Sequence, residues 1–205
     1  MKTSIVLFTR DLRLHDHPGL RAAARHSDRV VPAFVIDDQL VCGRPGTPNR
    51  LAFLLESLRD LDRSLRDRGS ALVIRHGDVV TEVMRLASEC DAEGVFMSED
   101  VSGYARSRRR RLERACEDAG LSLKTFEGVT VIPPGELTPA SGDHYRVFTP
   151  YWRAWRAATK REVLGAPRKL RSPSRLRQGR IPRLADLTRE DPANDLPRGG
   201  ESAGR

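Results

Sequence analysis

A chain of 205 residues is long enough for one sizeable domain with extensions, and 39% hydrophobic with 31% charged residues point to a soluble globular protein. No apolar run approaches the ~20 residues of a membrane span, and Met1 leads directly into a strand with no signal peptide, so a cytoplasmic protein without a membrane partner is expected. The net charge of +8 is uneven: residues 1–164 carry 26 basic and 23 acidic side chains, and residues 165–205 carry 10 and 5.

Ile5 to Phe8 is a short apolar run that suits a strand covered on both faces. The charged loop after it holds Arg10, Asp11, Arg13 and Asp16, and Pro18 then opens a helix to His26, capped by Asp16 or His17. Arg29 to Ile36 is the second strand, ending at Asp37 and Asp38, and residues 39–47 form a loop with Gly43, Pro45 and Gly46. Pro48 starts the clearest helix, with Leu51, Leu54, Leu55, Leu58, Leu61 and Leu65 at helical spacing and Gly69 at its end. Ala71 to Ile74 is the third strand. Asp78 caps a helix through Cys90, Val95 to Ser98 is the fourth strand, a helix runs to Ala119, and Leu121 to Phe126 is the fifth strand. Beyond residue 126 the pattern breaks into turns, an aromatic cluster from Tyr145 to Trp155, and a basic Pro/Arg/Gly-rich stretch over 165–205 that reads as linker or disordered tail. A basic tail can touch nucleic acid or simply be solvated, and both readings stay open.

Strand alternating with helix at this pace predicts an α/β fold: a five-stranded parallel doubly wound (Rossmann-like) sheet, order 3-2-1-4-5, with helices on both faces. The direction of growth then reverses between strands one and four. A ligand crevice is expected there, between Thr9, Arg10 and Asp11 on one side and Ser98, Glu99 and Asp100 on the other, with Phe34 to Asp37 as the next wall. No phosphate-cradling glycine loop follows the first strand, which argues against ordinary kinase or dehydrogenase chemistry. His15 and His17 flank Asp16, but no further ligands join them and no metal is expected. Cys42, Cys90 and Cys116 stand far apart with no CxxC spacing and read as inert thiols. Arg108 to Arg111 with Arg114 read as an exposed, salt-bridged helix face, because Glu113, Glu117 and Asp118 accompany them. The aromatic cluster reads as packing between domains rather than base stacking.

Five stretches in order then resemble the DNA photolyase and cryptochrome family: Phe8 to Arg13, Pro32 to Asp37, Arg50 to Leu58, Glu99 to Tyr104, and Tyr145 to Trp155. The resemblance spans roughly residues 3–160. It implies the family's amino-terminal α/β domain, which holds a light-harvesting antenna chromophore. Known antennae are a folate, an 8-hydroxy-5-deazaflavin or FMN. Folate-using members resemble an Asn-Glu pair where this chain has Ser102 and Gly103. Members that use deazaflavin resemble it at Phe34, Arg50 and Asp100, although they can carry an acidic residue where Ser102 stands, so deazaflavin is favoured. The candidate chromophore contacts are Arg10, Phe34, Ile36, Asp37, Arg50, Leu54, Glu99 and Asp100.

In the family a separate helical domain binds FAD, takes the flipped pyrimidine dimer and repairs it as a carbon–carbon lyase. The expected organisation is an antenna domain over 1–130, an aromatic connecting segment over 131–164 and a tail over 165–205. The FAD domain is expected to be missing from this chain, which ends inside the apparent linker. No catalytic residue is assigned, and the chain alone is expected to be inactive in repair, meeting DNA only through that domain. Two alternatives stay open: a free-standing nucleotide- or flavin-binding module in signalling or electron transfer, and an inactive remnant.

Overall fold

The structure, a computed structural model, describes residues 1–41, 47–174 and 176–205. Cys42 and the expected loop residues Gly43, Pro45 and Gly46 lie outside the described residues.

Five strands, β1 (Thr3–Leu7), β2 (Arg29–Ile36), β3 (Val73–His76), β4 (Gly94–Ser98) and β5 (Ser122–Phe126), form one parallel sheet in the order β3-β2-β1-β4-β5. The central strand is buried along its whole length, because both faces are covered. Its period of two divides the core. Ile5 and Leu7 face α4 (Val79–Glu89) and α5 (Gly103–Asp118), with Val83, Leu86 and Leu112. Val6 and Phe8 face α1 (Pro18–His26) and α3 (Pro48–Arg66), with Leu20, Leu58, Leu61 and Leu65. Each fully buried leucine of that stripe contributes roughly 1.5–3 kcal/mol.

The caps follow their chemistry. Pro18 stands in the first turn of α1, and His17 Nδ1 accepts the Leu20 N–H, so His17 is the cap rather than Asp16. Asp78 accepts the Thr81 N–H at the start of α4, and Ser102 accepts the Ala105 N–H at the start of α5. Gly69, at φ +81°, follows α3 where a side chain would be strained.

Two elements depart from expectation. The third strand lies two residues later, at Val73–His76, because it pairs in register with Ala33–Ile36; Ala71 and Leu72 are buried without joining that ladder. A short helix, α2 (Asp38–Val41), occupies the start of the expected loop after β2. The aromatic cluster forms helix α6 (Phe148–Ala157), with Phe148, Trp152 and Trp155 stacked in a row.

The described residues of the stretch 165–205, read as a linker or disordered tail, contain little regular structure but lie along the domain. Arg171 C=O accepts the Val30 N–H, Gln178 C=O accepts the Ile74 N–H, and Leu170 is buried. A single 3₁₀ turn (Leu184–Asp186) and a four-residue helix, α7 (Glu201–Gly204), complete the path, and Glu201 accepts the N–H groups of Leu14 and His15. Among the described residues no helix is long and apolar enough to cross a membrane.

Candidate functional site

The loops after β1 and β4 meet where the strand order reverses. Two contacts tie them together. Ser98 Oγ donates to Asp11 Oδ2 at 2.5 Å in the interior, and the Arg10 guanidinium stands 3.3 Å from Asp100 at the rim. Asp11 also accepts the Thr9 N–H and lies 2.8 Å from His17 Nε2, the ring nitrogen left to carry the proton once Nδ1 accepts from Leu20. Burial alone would raise the Asp11 carboxyl. The contact with His17, with the Ser98 and Thr9 hydrogen bonds, outweighs burial and holds it far below the usual carboxylate range. This network fixes the crevice wall and keeps Asp11 buried within it.

Above it opens a cavity of about 410 Å³. Leu7, Phe8, Phe34, Val35 and Val79 supply apolar surface, and Arg10, Asp37, Arg50, Asp100, Ser102 and Arg108 supply polar groups. That combination suits a flat, partly polar ligand. Burial raises the Asp100 carboxyl, but the Ser102 N–H and the Arg10 guanidinium lower it further, so its pKa lies below the ordinary value. Asp37 Oδ1 accepts the Gln39 N–H, so it caps the turn into α2 as well as lining the cavity.

Of the eight residues expected at the site, Arg10, Phe34, Asp37, Arg50 and Asp100 line this cavity together. Leu54 lies on the wall of an adjoining larger cavity of about 1070 Å³, shared with Arg10 and Arg50 and walled by α3, the β1–α1 loop and the tail around Gly200 and Glu201. Ile36 is packed in the core beneath and reaches neither cavity wall. Glu99 turns to the other side of its loop, accepts from Thr125 Oγ1 and faces a separate cavity of about 200 Å³. Among the described residues no cluster of three His, Cys, Asp or Glu is placed to hold a metal ion.

One member of the site was missed. Arg108, read as part of an exposed basic face, is only 8% exposed and lines the cavity. Its place was legible in the spacing: Ala105, Arg108, Leu112 and Cys116 fall on one helical stripe, and all four are buried. Arg109 and Arg111 do pair outward, with Glu99 and Asp78.

Comparison with known proteins follows the same geometry. The family model described as DNA photolyase matches residues 4–172. The whole chain aligns with a deoxyribodipyrimidine photo-lyase of Streptomyces griseus at 44% identity, covering 45% of that protein. A cryptochrome DASH of Natronomonas pharaonis is 33% identical over the whole chain, which covers 46% of it. An archaeal photolyase from Sulfolobus tokodaii, solved with two FAD molecules and interpreted as implying a novel light-harvesting cofactor, superposes with a TM-score of 0.84 at 26% identity, over 98% of this chain and 45% of its own. The chain thus spans under half the length of these relatives.

Proposed function

The chain belongs to the DNA photolyase family, matching its amino-terminal α/β domain, and we propose that it binds a light-harvesting antenna chromophore in the cavity between β1 and β4. The observation that carries this is the convergence of Phe34, Arg50 and Asp100 on one cavity of about 410 Å³. Cavities of this size enclose most of a planar tricyclic ring. The residues fit such a group: Phe34 offers an aromatic wall, Arg10 and Arg50 face carbonyl or anionic edges, and Asp100 accepts hydrogen bonds. Ile36 supports the wall from the core rather than touching the ligand, and Leu54 and Glu99 stand outside this cavity.

An 8-hydroxy-5-deazaflavin is the favoured occupant, with FMN and folate as the alternatives. The Sulfolobus relative with two FAD molecules keeps a flavin among the candidates. When bound, the chromophore would absorb light and pass its excitation to FAD in a helical domain, the part of the family that meets DNA. The protein's own contribution is orientation and exclusion of water, both set by rigid strand ends. We assign residues 1–130 to the antenna domain, 131–164 to a connecting segment and 165–205 to a linker that follows it.

Titration of the purified chain with 8-hydroxy-5-deazariboflavin and with FMN, read by absorption and fluorescence, tests the proposal. Arg50→Ala and Asp100→Ala should each weaken binding by about tenfold, the loss of one hydrogen bond to a charged group. Unchanged affinity in both variants removes this site.

A further inference from the structure

The basic excess of the tail is concentrated in one part of it. Residues 165–185 hold seven basic side chains and no acidic one. A solvated linker would let such a run disperse, but here the backbone is pinned to the sheet and its flanking helix. The Leu170 N–H donates to the Arg68 C=O at 2.8 Å, and the Arg171 and Gln178 carbonyls accept the Val30 and Ile74 N–H groups at 2.7 Å each. The Ser172 hydroxyl donates to the Val30 C=O and lies 2.6 Å from that of Ser70. The apolar side chains of the strap turn inward: Leu170 is buried, and Leu176 and Ile181 pack against the core. The cations are left outside. Arg168, Lys169, Arg171 and Arg177 are exposed and have no ion pair among the described residues, whereas Arg180 and Arg183 share Asp186. Arg29, exposed at the start of β2, joins Lys169 and Arg171 around a cavity of about 560 Å³, whose wall also carries Asp28. Holding like charges side by side destabilises a fold by self-repulsion, and a bound polyanion relieves it.

We propose that this strap, with Arg29, is a docking surface for the phosphate backbone of duplex DNA, at the amino-terminal end of β2 and away from the crevice between β1 and β4. The proposal goes beyond the antenna reading and does not depend on it. It gives the α/β domain a contact with DNA of its own, in addition to the one expected of a helical domain. The chemistry of the surface selects the partner. Among the described residues of 165–185 no large hydrophobic side chain is exposed, so the strap lacks the apolar anchors that a protein partner or a lipid surface would engage. Its cations are mainly arginines, whose planar forks match phosphate oxygens. From Arg168 to Arg177 an extended chain reaches about 30 Å at most, and duplex DNA presents one charge per about 1.7 Å of its axis over any such length. Because the strap is already fixed on the domain, binding does not have to order it. Contacts to phosphate position a duplex without reading its bases, so the binding is independent of sequence and of damage.

The experiment measures the fluorescence anisotropy of a labelled, undamaged duplex of about 20 base pairs with the purified chain, from about 50 to about 200 mM NaCl. Each phosphate contact adds about 0.9 to the steepness with which log affinity falls against log salt. The triple variant Arg168→Gln, Lys169→Gln, Arg171→Gln should therefore flatten the wild-type slope by about 2.7 and weaken binding at the lower salt by at least about tenfold. A second triple, Arg106→Gln, Arg110→Gln, Arg114→Gln, removes the same charge from the exposed face of α5 and should change the slope by less than about one. If the strap triple does not fold, Arg168→Gln and Lys169→Gln replace it singly, each flattening the slope by about 0.9. Absence of salt-dependent binding by the wild-type chain overturns the proposal. So does equal flattening by the two triples, which would assign binding to net charge. Displacement of the duplex by poly-L-glutamate at equal charge concentration, or strap-dependent binding to phosphatidylserine vesicles as tight as to DNA, also overturns it, assigning the surface to an acidic protein or to a membrane. Each of these outcomes leaves the antenna cavity standing.

Discussion

At the scale of single residues, the crevice depends on a buried carboxylate that does not line the cavity. Asp11 is held ionised by Ser98, His17 and the Thr9 N–H, inside a wall that water does not reach. Its folded-state pKa lies below the unfolded value, so its stabilisation is fully present above about pH 4 and is lost as pH falls through the folded value. Asp11→Asn should destabilise the chain by about 3 kcal/mol at pH 7, because His17 and Ser98 lose a charged partner. Urea melts at pH 7 and pH 3 check this: the gap between wild type and variant should narrow at pH 3, and a gap that stays constant would show that Asp11 does not titrate with folding. The sequence displayed Asp11, His17 and Ser98 but not their union, since the first two sit in one loop and the third lies 87 positions from Asp11. Arg108 was hidden for the opposite reason. It stands in a run of four arginines, and its burial follows only from phase on the helix, shared with Leu112 and Cys116.

At the scale of elements, the strands and the long helix were legible because each carries a period that only one packing satisfies. The α3 leucines place one stripe against the sheet, and Leu58→Ala should cost 2–5 kcal/mol, about the range for an emptied leucine site, measured by denaturant unfolding. The tail was not legible, because its attachment uses backbone groups rather than an apolar period. Gly179 shows how close that attachment is. It adopts φ +71°, and a Cβ there would strike the Ile74 carbonyl. Gly179→Ala should therefore lift residues 176–183 off the β3 edge. Limited proteolysis should then cut in that stretch while near-UV circular dichroism stays native. Cutting no faster than in wild type would mean that the edge pairing is dispensable.

At the scale of the whole molecule, topology explains why most of the candidate site could be placed without a structure. Reversing the strand order after β1 leaves a gap between the loops of β1 and β4, and Arg10, Asp37 and Asp100 must border it wherever the helices lie. What topology does not give is the facing of individual side chains, which is why Ile36 and Glu99 fell outside the cavity. A chromophore bound there touches both halves of the sheet and should stabilise the whole chain. At one hundred times its Kd it should add about 2.7 kcal/mol, raising the melting midpoint by roughly 5–10 °C for a protein of this size. A midpoint that ignores saturating chromophore would mean that binding occurs away from the folded sheet.

The clasp of Glu201 on the Leu14 and His15 N–H groups sets a timetable for biosynthesis. β1 leaves the ribosome before β2, β3 and β4, which can join it as they emerge, building the sheet outward from its centre. The loop that follows β1, and that borders the cavity, must wait for a partner some 187 positions downstream. The mouth of the cavity is thus made early and latched late. A nascent chain holds this crevice unlatched until translation has passed Glu201.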